Sequence, residues 1–474
     1  MITARARPCE AEAIRAARGA PCTVRQQRWV LAATILASTI AYVDESVVNV
    51  ALPAIGRDLS ASPAALQWVI NAYTLCLAAF LLVGGAAGDR LGRRRVFIAG
   101  VALFGAASLA CGLSREIAQL IAARAVQGAG AALLIPCSLA IIGAAFPDNE
   151  RGRAIGTWAG FSAIAAAIGP LLGGWIVDHL AWQTIFFINP VLCLAALWIA
   201  WRHLPESIDP DAPPGIDWLG ALLAFAGLAG VAFGLIALPD TGWRDTTTAA
   251  TLAGGGVLLA ILVWHEGRSP APMMPLGLFR SATFSGVNAL TLLLYGALGG
   301  AFFLLPFALI SVHGYSATMA GAVFLPFTAI MAVLSRWSGG LLDRVGARLP
   351  LVGGPVLVAV GFVLFALAGP ETSYAMAFLL PVSIVGLGMA VTVAPLTTTV
   401  IAAVPGHQTG VASGINNALS SVASLFAIAA FGALALHGSL AEGIRLAMLV
   451  AAGLALAGAA CAALTIRAAA APDR

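Results

Sequence analysis

Fourteen long stretches of apolar residues, separated by short polar segments, run through this chain from Trp29 to Ile466. A membrane-spanning helix needs about 20 predominantly apolar residues, so fourteen of them would take up roughly 280 residues, well over half of the 474 in the chain. We expect helices at 29–53, 66–88, 96–113, 118–146, 153–178, 184–201, 217–238, 248–265, 282–311, 316–341, 350–368, 373–403, 409–436 and 443–466. This pattern predicts an all-α polytopic membrane protein.

The composition agrees with a membrane protein and excludes several other classes. Only 10% of the residues are charged, whereas about a quarter are charged in a soluble protein. All 25 basic residues are arginine, and a chain without lysine has neither a Walker A phosphate loop nor a Schiff base. Neither an HExxH nor a GxSxG motif occurs, and the cysteines lack the spacing of a disulfide framework or metal site. We therefore expect no enzymatic activity, cofactor, metal or, at a net charge of +4, nucleic-acid partner.

The arginines are distributed unevenly between the two sides of the predicted bundle. If both termini are cytoplasmic, the cytoplasmic segments hold 20 arginines and the outer segments hold four. Basic residues concentrate on the cytoplasmic side of membrane proteins, so this orientation is favoured. The first 28 residues contain six arginines and no long apolar core, which predicts a cytoplasmic tail rather than a cleavable signal peptide.

A short loop pattern occurs twice. Gly85, Asp89, Arg90 and Gly92, after the second helix, recur 254 residues later, after the tenth helix, as Gly339, Asp343, Arg344 and Gly346. Such a repeat indicates two related halves with a substrate site between them, although Asp-Arg-x-Gly also makes an ordinary charged turn. The predicted organisation is an N-terminal tail (1–28), a six-helix half (29–204), two inserted helices with linkers (205–280), a second six-helix half (281–466) and a C-terminal tail (467–474).

Four motifs carry a family resemblance. They are VDESVVNVALP at 43–53, GAAGDRLGRRR at 85–95, the R-x-x-Q-G-x-G pattern that starts at Arg124, and a fifth-helix motif formed by Gly156, Gly169, Pro170, Gly173 and Gly174, in which Ala165 replaces one further glycine. In these motifs the chain resembles the fourteen-helix drug:proton antiporters of the major facilitator superfamily. The resemblance implies the major facilitator fold, a place in the bacterial plasma (inner) membrane, and export of small molecules in exchange for protons.

The resemblance also implies roles for these motifs. The loop with Gly85, Asp89, Arg90, Gly92 and Arg93 would gate the cytoplasmic side, with Asp89 stabilising the outward-open state through a neighbouring helix and the arginine cluster. Its second copy would contribute Asp343 and Arg344. The fifth-helix motif, the antiporter motif, is expected to pack at the gating interface between the halves, although small residues also allow plain close packing of membrane helices.

Asp44 and Glu45 are the only carboxylates well inside an apolar stretch. Asp44 would lie about 22 Å along a helix that starts at Trp29, and Arg124 about 9 Å into the fourth helix from the other side, so their depths match. Because a charge at this depth is costly, a reversible Asp44–Arg124 contact, direct or through water, would suit proton coupling; a permanent structural pair is the alternative. Glu45 departs from the family pattern and is interpreted as a local hydrogen-bonding group, a second proton carrier or an anchor for a cation.

The substrate cavity implied by the resemblance lies between the halves. We expect a lining of aromatic and amide side chains: Trp68, Asn71, Tyr73, Trp158, Phe161, Asn288, Tyr295, Asn416 and Asn417. Such a lining suits flat, amphipathic or cationic compounds through stacking and cation–π contacts, although each aromatic residue would also serve simple packing.

The sequence thus predicts a proton-coupled exporter of small amphipathic or cationic compounds that works by alternating access. Two alternatives remain open, a narrow exporter of one antibiotic or metabolite and a non-transporting sensor or scaffold of the same fold. The expected partners are the small-molecule substrate, protons and the lipid bilayer, and a periplasmic adaptor is an open question.

Overall fold

The computed structural model describes residues 23–208, 215–269, 272–339, 345–369, 372–404, 408–436 and 438–466, which form a bundle of fourteen helical traversals. The first half contains α1 (Val24–Asp58), α2 (Pro63–Leu91), α3 (Arg93–Leu113), α4 (Ile117–Ala145), α5 (Asp148–His179) and α6 (Thr184–His203). Two further helices follow, α7 (Trp218–Thr241) and α8 (Thr246–Glu266). The second half contains α9 (Ala282–Phe307), α10a (Ala317–Ala322), α10b (Leu325–Gly339), α11 (Arg348–Leu367), α12 (Leu380–Ala402), α13 (Thr409–Ala435) and α14 (Leu440–Thr465).

Each predicted apolar stretch corresponds to one of these helices, and several of the helices begin at a capping side chain. The first helix begins at Val24, before Trp29, because the Thr23 side chain caps it and Gln26 completes a capping box. The predicted tenth helix is interrupted between Ala322 and Leu325. Within the described ranges, thirteen helices are long and apolar enough to cross a membrane, and α5 is the remaining traversal, joining α4 on one face to α6 on the other.

We call the face where α1 begins and α14 ends the terminal face, and the opposite one the far face. Because the helices alternate in direction, α2 begins and α5 ends at the far face, and the loop from Gly92 to Arg95 lies at the terminal face.

The two halves repeat the same helix pairings. In the first half, α1 packs against α5 and α6, α2 against α4, and α3 against α4 and α6. In the second half, α9 packs against α13 and α14, α10 against α12, and α11 against α12 and α14. The halves meet mainly where α5 crosses α10 and where α2 crosses α13, which are equivalent pairs. This internal symmetry is the structural counterpart of the repeated loop in the sequence.

The inserted pair, α7 and α8, lies at the side of the bundle. Helix α7 packs against α2 and α13, with Phe225 stacked on Phe80 at a centroid distance of 5.6 Å. Helix α8 packs on α7, and little of it is buried. The inserted helices therefore bridge the two halves along one edge.

Candidate functional site

A network of buried polar side chains surrounds Asp44 inside the first half. Arg124 of α4 donates from Nη1 to Asp44 Oδ2 at 2.5 Å. The other carboxylate oxygen, Oδ1, accepts from Gln127 Nε2 at 2.9 Å and from Asn189 Nδ2 at 2.7 Å. The side chains of Asp44 and Arg124 are each 1% exposed. In the structure the contact between Asp44 and Arg124 is therefore direct and shielded from solvent.

Arg124 is held on every side by groups that favour a cation. Its Nε donates to the backbone carbonyl of Val69 at 3.2 Å, and Nη1 also donates to Gln127 Oε1 at 2.7 Å. The guanidinium carbon lies 4.3 Å from the centre of the Tyr73 ring and 6.0 Å from that of Phe186. The face of an aromatic ring attracts a cation, so the arginine keeps several partners if Asp44 is neutralised.

Two members of the network do not follow from the sequence motifs. Asn189 of α6 bridges Asp44 and Ser108, because its Nδ2 also lies 2.9 Å from Ser108 Oγ. Ser108 of α3 donates to the backbone carbonyl of Phe186 at 3.0 Å. The signal that could have found them is a polar side chain inside an apolar helix, because such residues face the interior of a membrane bundle.

The network brings together five of the six helices of the first half and makes a neutral unit in the membrane interior. An ion pair with complete hydrogen bonding tolerates burial, whereas removal of one partner leaves an uncompensated charge. Protonation of Asp44 would remove the attraction to Arg124 and weaken the bonds donated by Gln127 and Asn189. The arrangement is therefore chemically suited to two alternative charge states.

Glu45, the next residue on α1, is half-buried and lies outside this network. Asn49, one turn further on, donates from Nδ2 to the backbone carbonyl of Glu45 at 3.2 Å rather than to its carboxylate. Within the described part of the chain, no hydrogen bond or ion pair engages the Glu45 carboxylate.

The loop between α2 and α3 contains a second charged cluster. Asp89 pairs with Arg93 through Nε at 2.8 Å and Nη2 at 2.7 Å. Gly92, between them, adopts a φ of 110°, which favours glycine. Gly85 and Arg90 lie in the last two turns of α2, with Arg90 exposed. The equivalent residues of the second half, Asp343 and Arg344, lie outside the described residues.

Glu206, which follows α6, holds this loop from the other side. Its Oε1 accepts from the backbone N–H of Arg94 at 3.1 Å, and its Oε2 lies 3.6 Å from Arg95 Nε. A side chain at Gly92 would collide with the same carboxylate. No feature of the sequence indicates this contact, because Glu206 lies more than a hundred residues away in a linker.

The antiporter motif on α5 forms the crossing with α10 at the far face. A Cβ at Gly174 would collide with the backbone carbonyl of Ala317, and a Cβ at Gly321 would collide with the carbonyl of Pro170. The two helices thus touch backbone to backbone through reciprocal glycines. Gly169 and Gly173 face α1, at Ser46 and Val47, while Gly156 lies toward the terminal face, where a Cβ would meet open space.

Asp178, at the end of α5, closes the same crossing with hydrogen bonds. Its carboxylate accepts from the backbone N–H groups of Ala317 at 3.0 Å and Thr318 at 2.7 Å, and from the Thr318 hydroxyl. These are the first residues of α10a, where an anion is favoured by the helix dipole. A cavity of about 170 Å³ beside this contact is lined by residues that include Arg57, Ile310 and Tyr315.

Toward the terminal face, several positions of α5 and α10b are exposed. Gly160 of α5 has open space on the side where a Cβ would point, Phe161 is 52% exposed, and Val333 of α10b is 73% exposed. The backbone contacts of Gly174 and Gly321 between these two helices lie at the far face.

The residues expected in the substrate cavity occupy several different places. Trp68 packs toward α7, with its ring 6.3 Å from Phe233, and Trp158 donates from Nε1 to Ser38 Oγ at 3.0 Å. Asn416 donates to Asn288 Oδ1 at 3.0 Å and to Thr291 Oγ1 at 2.7 Å. The remaining ones are Tyr73 beneath Arg124, the half-buried Tyr295, the buried Asn71 and the exposed Phe161 and Asn417.

Among the residues that the structure describes, no three histidine, cysteine or acidic side chains lie close enough together to hold a metal ion.

Comparisons with known proteins agree with this architecture. Residues 34–428 match the Major Facilitator Superfamily. The chain is 35% identical over 409 residues to the Multidrug resistance protein Stp of Mycobacterium tuberculosis, covering 86% of this chain and 76% of that protein. It is 34% identical over 414 residues to the Tetracenomycin C resistance and export protein of Streptomyces glaucescens, covering 87% and 76%.

Among solved structures, a bacterial homologue of the human lysosomal transporter Spinster superposes with a TM-score of 0.67 at 18% identity, covering 94% of this chain and 98% of that one. That likeness concerns the fold, whereas the family match and the closer relatives concern the sequence itself. The chain therefore belongs to the major facilitator superfamily of membrane transporters.

Proposed function

We propose that this protein is a proton-coupled exporter that moves small amphipathic or cationic compounds out of the cell by alternating access. The observation that carries the proposal is the buried Asp44–Arg124 pair, with its hydrogen bonds from Gln127 and Asn189. Relatives named for multidrug resistance and for antibiotic export support an exporter.

The buried pair supplies a way to couple a proton to transport. A proton on Asp44 leaves Arg124 without its counter-ion, so the first half has two states of different charge. Moving one elementary charge through 100 mV is worth about 2.3 kcal/mol, enough to support a gradient of an uncharged substrate on the order of 50-fold at one-to-one exchange. Exchange of one proton for a monovalent cation moves no net charge and draws on the pH gradient alone. One carboxylate is thus sufficient to drive useful export.

The distribution of arginine supports a cytoplasmic terminal face in the bacterial plasma membrane, because 20 arginines belong to segments on that side and four to the other. With this orientation the exposed positions of α5 and α10b lie toward the cytoplasm, where the space between the halves would open. The Asp178 contact and the reciprocal glycines then form the outer gate, and the loop at Asp89 belongs to the inner gate.

Proton-coupled efflux of a fluorescent cationic dye from everted vesicles tests the proposal. We expect dye to accumulate when a proton gradient is imposed and to leak back when an uncoupler is added, since exchange requires the gradient. Vesicles from cells without the protein are the control. Accumulation that persists with the uncoupler, or no movement of any dye, would contradict proton-coupled export of such compounds.

A narrow exporter of one compound is the second candidate, and it is favoured by the relative named for tetracenomycin C. The two candidates differ in the number of unrelated compounds that compete with the dye. Competition by many structurally unrelated compounds supports broad export, whereas competition by one chemical series supports the narrow exporter.

Substitution of Asp178 by asparagine is expected to loosen the outer gate. Capping interactions of this kind contribute about 0.5–2 kcal/mol, so the ratio of closed to open far face should fall roughly 2- to 30-fold. The measurement is maleimide labelling from the far side at Ile310→Cys, which lines the adjacent cavity, in a background without native cysteines. Unchanged labelling in Asp178→Asn would show that the glycine contacts alone keep the gate closed.

A further inference from the structure

The crossing of α2 with α13 is the second place where the two halves meet, and a glutamine side chain lies inside it. Gln67, in the second turn of α2 near the far face, is 2% exposed. A Cβ at Gly432 of α13 would collide with the amide of this side chain. Gln67 therefore fills the space between α2 and α13 that the glycine leaves free.

Asn71 lies one turn further along α2, on the same face of the helix. Leu75 and Ala78, which continue this face, belong to one buried cluster with Leu425 of α13. Asn71 is thus flanked on both sides by residues that pack against the second half, and it is fully buried. The crossing therefore buries two amide side chains, about 6 and 12 Å from the start of the helix.

These two amides lack hydrogen-bonding partners in the described part of the protein. Gln67 Oε1 is buried without a hydrogen bond, and so are both Oδ1 and Nδ2 of Asn71. A polar atom that is buried without a partner costs free energy, which it regains once water reaches it. Contact between α2 and α13 therefore carries a cost that ends when the two helices separate.

The crossing of α5 with α10 is the equivalent contact, and it has a glycine where α2 has Gln67. Ser62 caps the start of α2, and Ser316, 254 residues later, caps the start of α10a, each accepting at 3.2 Å from the N–H three residues on. The repeated loop has the same spacing. This register makes Gly321 the equivalent of Gln67, and Gly321 lies against the backbone of Pro170. One position thus gives a backbone contact in one crossing and a buried amide in the other.

We propose that Gln67 and Asn71 form a hydration-sensitive part of the outer gate, which favours opening of the far face on the side of α2 and α13. The contacts of Gly174, Gly321 and Asp178 favour closure, whereas the two amides oppose it because they gain water on opening. The α2–α13 crossing therefore separates more readily than the α5–α10 crossing. The inference rests on the proposed alternating-access transport and specifies how its outer gate opens.

Far-side labelling of Ile428→Cys with a membrane-impermeant maleimide tests the proposal. Ile428 is buried on α13, one turn before Gly432, so the reagent reaches it when the crossing separates. We expect Asn71→Leu, which keeps a branched side chain without polar atoms, to slow labelling about five-fold or more. Gln67→Leu should slow it less, because one unpartnered atom is removed instead of two. Labelling is measured in vesicles without substrate or a proton gradient, in a background without native cysteines.

Thr74→Val is the matched control. Thr74 is buried on the same helix, but its hydroxyl donates to the backbone carbonyl of Ile70 at 3.2 Å. Removal of a polar atom that already has a partner gives contact between α2 and α13 no advantage, so labelling should not slow. The melting temperature of the purified protein should rise in Asn71→Leu, because an unpartnered amide is lost from the interior.

The outcomes separate the gate from the transport mechanism. Unchanged or faster labelling in the leucine variants would overturn the inference, because the amides would then be satisfied when α2 and α13 are in contact. Equal slowing in Thr74→Val would also overturn it, by showing that any added apolar group closes the crossing. Gln67→Leu decides alone if Asn71→Leu does not fold. Slower labelling in the leucine variants, in a protein without proton-coupled dye efflux, would retain the gate and reject the proposed function.

Discussion

Replacement of Asp44 by asparagine is expected to abolish proton-driven accumulation of substrate, lowering it by more than about ten-fold. Asparagine cannot exchange a proton, and it removes the counter-ion of Arg124, which lies 2.5 Å away and is fully buried. Because accumulation of dye against a gradient needs the whole proton driving force, the effect should exceed that of any peripheral change. The measurement is uncoupler-sensitive dye uptake into everted vesicles.

Folding and coupling must be separated in this experiment. Breaking a buried ion pair destabilises a protein by about 3–5 kcal/mol when one charge is left alone, so the melting temperature of the purified variant should be measured alongside. Downhill exchange of dye, which needs no proton, should persist in Asp44→Asn. Glu116→Gln is the control, because it neutralises an exposed carboxylate at the start of α4. If Asp44→Asn still accumulates dye against a gradient, Glu45 becomes the proton carrier and the assignment of Asp44 is wrong.

The sequence predicted the Asp44–Arg124 contact because depth along a helix is a simple function of residue number. Two charges at matching depth in neighbouring helices have few other partners in a membrane. The sequence did not predict Asn189 or Ser108, which complete the network. Amide and hydroxyl groups occur at many positions in these helices, and only the rotation of α3 and α6 decides which of them face Asp44.

The helix positions followed from hydropathy, since each traversal needs a minimum apolar length. The helix ends depended on local groups instead, such as the Thr23 and Gln26 capping box that extends α1. The contact between Glu206 and the loop at Arg94 had no signal in the sequence, because a single glutamate in a linker resembles any solvated charge.

The antiporter motif is a pattern of small residues whose role depends on the helices that it packs against. Gly174 lies directly against the backbone of Ala317 in the other half, and Gly321 lies directly against the backbone of Pro170. A backbone carbonyl cannot rotate away as a flexible side chain does. The contact at the far face therefore forms only when neither position has a side chain.

The substitution Gly174→Val is accordingly expected to prevent closure of the far face and to reduce transport strongly. Overpacking of a close contact costs about 1–3 kcal/mol, which would shift the ratio of closed to open states roughly 5- to 150-fold. Transport would be measured as dye accumulation, and the conformational shift as increased maleimide labelling of Ile310→Cys from the far side. Dye accumulation and maleimide labelling should change together, because the same contact at the far face controls transport and closure.

Gly453→Val is the matched control, since it places the same side chain on another helix, α14, at a position with open space around it and outside the α5–α10 crossing. It should change neither far-side labelling nor the melting temperature. If Gly174→Val leaves labelling unchanged while transport is lost, the motif acts through the packing of α5 on α1 rather than through the outer gate. If both variants transport normally, turnover does not need the close approach of α5 and α10. A cycle that requires far-face closure would not tolerate a branched side chain between the two backbones.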